Sequence, residues 1–81
     1  MTPDCPKNFE ATPEECRELV GRIGKSQRWV GERIGIGDRK MRYLIAGSRD
    51  VNGKQVPVTL TYAEYFALQC LASAAEAMSR E

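Results

Sequence analysis

Arg39, Lys40, Arg42 and Tyr43 crowd strong hydrogen-bond donors into one short stretch of this chain. At 3.6 residues per turn, Arg39 and Tyr43 share one face of a helix, with Lys40 and Arg42 on its shoulders. Met41, Leu44 and Ile45 group on the opposite side, where they can anchor that helix to a core. An arginine presents a planar fork that donates two hydrogen bonds to guanine O6 and N7, the commonest specific contact in the major groove of DNA. Arg39 points outward near the helix N-terminus, the end that usually meets bases, so it ranks first as a base reader and Arg42 second. Tyr43 suits a thymine methyl or a phosphate. Lys40 suits a phosphate, as a mobile point charge. Upstream, Ser26, Gln27 and Arg28 head another helix, whose open amides and side-chain donors can grip a phosphate without reading sequence. Exposed arginines on a short helix are ordinarily a solvated face. These differ in clustering on the side away from the apolar residues.

Such side chains need elements to aim them. The stretch from Ser26 to Leu44 reads as a helix-turn-helix, two short helices joined by a sharp turn containing glycine. Ser26 caps the first helix, which runs to Ile34; the second begins at Gly37 or Asp38 and stops at Gly47. Val30, Ile34, Ile36, Met41 and Leu44 fall where the unit needs core contacts. Gly31 falls where the second helix passes close over the first and a larger side chain has no room. Gly35 falls where the chain turns through a left-handed conformation, which glycine adopts without steric cost. Asp38 in a first turn meets the positive end of the helix dipole.

The flanking segments read less uniformly. Residues 1–11 hold two prolines and few apolar side chains, and form a flexible arm from which Phe9 can tuck against the body. Thr12-Pro13-Glu14-Glu15 is a capping box with proline at the first helical position, Glu15 reaching back to the threonine. Cys16, Leu19, Val20 and Ile23 then recur at helical spacing, and Gly24 ends the helix. From Ser48 to Leu60 the helical pattern is lost. Asn52-Gly53 signals a tight turn that Val51 and Val56 can flank, while Pro57 keeps any strand short; a small wing and an ordered loop both fit. Arg49 and Lys54 lie near a DNA backbone in either case. Thr61-Tyr62-Ala63-Glu64 is a second capping box, opening a C-terminal helix to about Met78 that is apolar nearly all round. Such a helix needs cover on two sides: the core supplies one, and a second subunit meeting Tyr65, Phe66, Leu68 and Leu71 supplies the other. The competing reading is that its alanines reflect helix propensity alone. Trp29 either donates its indole N–H to a phosphate or covers the junction with the first helix.

The expected fold is therefore all-α: a repressor-like helix-turn-helix domain of four to five short helices, with a C-terminal helix for dimerisation and a hairpin or loop near 49–56. Its 81 residues make one domain, 12–81, behind the arm. Net charge is only +1, yet residues 25–54 carry eight lysines and arginines against three carboxylates, with acidic excess on both flanks. A local basic patch is what contact with double-stranded DNA requires. No apolar run approaches the length of a membrane span and no secretory pattern opens the chain, so the cytoplasm is the expected location. Cys5, Cys16 and Cys70 are odd in number and widely spaced, and histidine is absent. That composition supports neither a zinc site nor a disulfide scaffold, and Cys16 and Cys70 read as small hydrophobes on apolar helix faces. With no nucleophile–base pair, phosphate-cradling loop or metal cluster, an enzyme, a cofactor or a small-molecule ligand finds no support.

Ser26-Gln27-Arg28 through Ile34-Gly35, followed by Asp38-Arg39 and Met41-Arg42-Tyr43, resembles the small phage-encoded helix-turn-helix regulators that include the anti-CRISPR-associated (Aca) proteins. The run Tyr65-Phe66-Ala67-Leu68-Gln69-Cys70-Leu71-Ala72 is similar to their C-terminal helix, so the resemblance spans residues 26–72. It implies a dimeric autorepressor that binds an inverted repeat in its own promoter. It further implies that Arg39 and Arg42 read bases, that Arg28 holds phosphate, and that the helix of Phe66 and Leu71 builds the dimer. Two positions depart from the pattern: a second basic residue is expected where Trp29 stands, and a serine cap where Gly37 stands. Both changes weaken the grip on phosphate.

The expected function is a homodimeric, sequence-specific transcriptional repressor. The alternative is an antitoxin- or adaptor-type module whose apolar C-terminal helix engages another protein.

Overall fold

Side-chain caps start three of the helices in the computed structural model, which describes residues 2–79. Met1, Arg80 and Glu81, the outer ends of the expected arm and domain, lie outside the described residues. Before α1 (Pro13–Ile23), Thr12 Oγ1 accepts the Glu15 N–H at 3.2 Å. Before α2 (Gln27–Ile34), Ser26 Oγ accepts the Trp29 N–H at 3.1 Å. Before α4 (Tyr62–Ser79) the box is reciprocal: Thr61 Oγ1 accepts the Glu64 N–H at 3.2 Å, and the Thr61 N–H donates to Glu64 Oε1 at 2.9 Å. Each such cap contributes about 1 kcal/mol. Helix α3 (Asp38–Ala46) follows Gly37, which offers no side-chain cap.

The turn between α2 and α3 is Gly35-Ile36-Gly37, with Gly35 left-handed at φ 78°. Two short-range features close it. Its Ile36 N–H donates to the Gly31 carbonyl at 2.8 Å, and Ile36 is buried. A Cβ on Gly31 would stand 2.5 Å from the Ile36 carbonyl oxygen and 2.8 Å from Met41 Cγ, so this approach admits glycine alone. Both glycines therefore serve the geometry that their positions suggest.

Strands β1 (Ser48–Val51) and β2 (Lys54–Pro57) form an antiparallel hairpin with Val51 opposite Lys54 and Ser48 opposite Pro57. The domain is thus mainly helical but not all-α: four helices and a two-stranded hairpin. Asn52 and Gly53 occupy its two-residue turn at φ 52° and 82°, the positive pair that matches the natural twist of two strands. A hairpin alone is marginal in water. This one is seated by the Val58 N–H, which donates to the Gly47 carbonyl at 3.0 Å, and by the packing of Val58 against the core.

That core gathers Cys16, Leu19 and Ile23 of α1, Val30 of α2, Met41 and Leu44 of α3, and Leu68 and Ala72 of α4, closed by Ala11, Ile36 and Leu60. Burial raises the Cys16 thiol above its ordinary pKa, against the opposing pull of Arg17. Helix α1 lies along α4, where Arg22 Nε donates to Glu76 Oε1 at 2.7 Å. Arg17 Nη1 caps α3 from α1 by donating to the Ile45 carbonyl at 2.7 Å.

The expected arm has no regular secondary structure but is docked. Phe9 meets Tyr62 edge-on at 5.3 Å and Tyr65 at 5.2 Å, and the Asp4 N–H donates to the Tyr62 hydroxyl at 2.9 Å. Two expectations for α4 are corrected. Leu68 is fully buried beneath its own domain and has no surface to offer a second subunit. Cys70, read as a small hydrophobe on an apolar helix face, is exposed. Both follow from the direction of the helix: Tyr65, Leu68, Leu71, Ala72 and Ala75 turn toward α1 and α2, leaving Cys70 on the far side.

Candidate nucleic-acid interface

Burial of Met41 and Leu44 fixes the roll of α3 and turns Arg39 and Arg42 outward. Both arginines are exposed, and neither has an ion-pair partner among the described residues. Tyr43 is half-buried between them and the hairpin, its ring beneath the Arg49 guanidinium at 5.7 Å. The structure thus brings Arg39, Tyr43 and Arg49 together, with Arg42 exposed on a shoulder of the same helix. Gly37, Arg39, Lys40, Tyr43, Arg49 and Val58 line a cleft there of about 420 Å³.

Lys40, expected at a phosphate, is paired with a carboxylate. Its ammonium lies 2.6 Å from Glu64 Oε2, and the Glu64 side chain is only 15% exposed. Burial raises the Glu64 carboxyl, but hydrogen bonds from Lys40 and from Thr61 outweigh it and hold the group below its ordinary pKa. The lysine charge is therefore engaged at the surface by a largely buried carboxylate, a contact that links α3 to α4. The chain sequence offers no signal for this pair, because Glu64 already has a complete role as a capping residue.

At the N-terminus of α2, Ser26 Oγ is occupied by its cap, so the serine hydroxyl oxygen does structural work. Gln27 and Arg28 are exposed in the first turn. Arg28 pairs with Glu32 at 3.4 Å, both side chains mostly in solvent, a contact weak enough for an external phosphate to displace. Lys54 is exposed at the tip of the hairpin, beside the Asn52-Gly53 turn.

Trp29 takes the covering role. It is half-buried against the core, with the Arg33 guanidinium 4.8 Å and the Lys25 ammonium 5.8 Å from its ring. Two cations that could belong to a basic face are thus held at the α1–α2 corner by one indole, an arrangement worth about 0.5–1 kcal/mol per exposed pair.

On α4 the four expected interface residues separate. Leu68 is core, and Tyr65 and Leu71 pack partly against that core. Phe66 stands on the outer side, in ring contact with Tyr62 at 6.1 Å. With Ala63, Ala67, Cys70, Ala74 and Ala77 it makes a stripe at helical spacing that is exposed or half-exposed. Sequence reasoning named the helix but mixed its two sides.

Among the described residues no three His, Cys, Asp or Glu side chains group as a metal site, and no helix is long and apolar enough to cross a membrane. Compared with known proteins, the chain matches no family model and no curated sequence.

Proposed function

We propose that this protein is a sequence-specific DNA-binding transcriptional regulator, acting as a homodimeric repressor with α3 in the major groove. The observation that carries the reading is the outward face of α3: Arg39 and Arg42 exposed, without ion-pair partners among the described residues, on a helix rolled by Met41 and Leu44. Unpaired guanidiniums at this spacing suit bidentate contact with guanine edges. The exposed first turn of α2, with Gln27 and Arg28, suits a phosphate and would set the register. The short α2–turn–α3 unit and the earlier resemblance to Aca-type regulators support the same reading. The outer stripe of α4, centred on Phe66 and Cys70, is the surface that a second copy would cover.

Selection from a random duplex library at near-physiological salt tests this directly. Enrichment of an inverted repeat, with half-site centres about one helical turn apart, is the expected result. No retention of any duplex, even at low salt, would overturn the proposal and direct attention to a protein partner for α4.

A further inference from the structure

Two cations line the cleft between α3 and the hairpin: Arg39 from the first turn of α3, and Arg49 from β1. Lys40 shares the lining, but its charge is met by Glu64 at 2.6 Å. Arg39 and Arg49 have no carboxylate partner among the described residues. Tyr43 and Val58 supply an apolar floor, and Gly37 leaves its side of the cleft open, with nothing within 4 Å of where a Cβ would stand. Two unmatched like charges lining one cleft make it attractive to an anion.

The hairpin is not a loose appendage to this cleft. Arg49 stacks over Tyr43, and the Val58–Gly47 hydrogen bond sets the base of the hairpin against the end of α3. Its tip, Asn52-Gly53, carries little bulk, and Lys54 follows it directly. In duplex DNA a single phosphodiester strand separates the major groove from the minor groove. A protein that straddles the strand therefore has one wall in each groove. The minor groove is about 6 Å wide, which admits a slender tip but not a helix.

We infer that the cleft between α3 and the β1–β2 hairpin holds one phosphodiester strand of duplex DNA, with Arg39 on its major-groove side and Arg49 gripping it from the minor-groove side. This rests on the DNA-binding reading above and adds a second, hairpin-borne contact to it. Arg49 here is a backbone contact that sets how deeply α3 sits, and Lys54 extends the same grip at the tip.

The test uses the full chain and the duplex recovered by selection. Affinity is measured by fluorescence anisotropy across a salt series for the wild type, Arg49→Ala, Arg49→Lys and Arg39→Ala. The series is repeated on duplexes in which one phosphate at a time is replaced by a neutral methylphosphonate. Arg49→Ala is expected to bind about tenfold more weakly at low salt, with the salt slope reduced by about 0.9. Arg49→Lys keeps most of the affinity, because a point charge suffices for a phosphate. One methylphosphonate position should weaken the wild type and have no further effect on Arg49→Ala. Arg49→Gln, which retains cover over Tyr43, replaces the alanine variant if circular dichroism shows that variant to be unfolded. Wild-type affinity and salt slope in a folded Arg49 variant, alongside loss of specific binding in Arg39→Ala, would overturn the inference and leave the DNA-binding reading standing. A wild type that retains no duplex would end both.

Discussion

Lys40 Nζ lies 2.6 Å from Glu64 Oε2, so the basic face of α3 is tethered to the first turn of α4. The same carboxylate accepts the Thr61 N–H through its other oxygen, at 2.9 Å. One side chain thus caps α4 and positions the neighbour of Arg39.

The tether makes stability depend on acid. The carboxyl of Glu64 is held below its ordinary value, so its contribution is complete above the unfolded glutamate pKa, about 4.3, and is lost as pH falls through the lower folded value. Thermal melts of wild type and Glu64→Gln should differ at pH 7 and converge on the acid side. Glutamine keeps an acceptor for the cap and removes the charge. With Lys40 half in solvent, the difference at neutral pH should stay near or below about 1 kcal/mol. A gap that widens toward low pH would contradict the assignment.

Gly31 and Gly21 should respond oppositely to alanine. A Cβ at Gly31 meets the Ile36 carbonyl oxygen at 2.5 Å, a backbone atom that cannot move without opening the α2–α3 turn. Gly31→Ala should cost about 1–3 kcal/mol by denaturant unfolding. Gly21 lies in α1, exposed, with nothing within 4 Å of the added atom. Gly21→Ala should gain about 0.5–1 kcal/mol from helix propensity.

Leu68 and Phe66 separate the two sides of α4. Leu68→Ala empties a fully buried site and should cost about 2–5 kcal/mol at any protein concentration. Phe66 is on the outer side, so Phe66→Ala should cost less in the folded chain and weaken the proposed dimer in sedimentation. Equal unfolding losses, with unchanged sedimentation, would count against a role for the outer stripe.

Arg39→Ala should lose specific DNA binding by about 10- to 100-fold, the range of one bidentate base contact, while its melt matches wild type. Arg39→Lys should not restore specificity, because an ammonium lacks the planar fork. Operator binding like that of wild type in the alanine variant would remove Arg39 from the reading face.

Much of this architecture was legible in local chemistry. Thr12, Ser26 and Thr61 satisfy amides three residues away, Gly35 and Asn52-Gly53 supply the positive φ that their turns need, and Gly31 announces a close approach. Each signal acts within a few residues, so neighbours in the chain carry the whole physical argument. The outward roll of Arg39 and Arg42 was legible for a similar reason, since Met41 and Leu44 define the opposite side of the same short helix. Other features depend on which distant segments meet. Helix α4 is apolar nearly all round, so its periodicity could not say that Leu68 faces inward and Cys70 outward; packing against α1 and α2 did that. Nothing near Lys40 marks it for Glu64, nor Phe9 for Tyr62, nor Arg17 for the Ile45 carbonyl. Those contacts exist because folding brings complementary groups together, and their energies depend on burial and distance, which no residue carries in its own type.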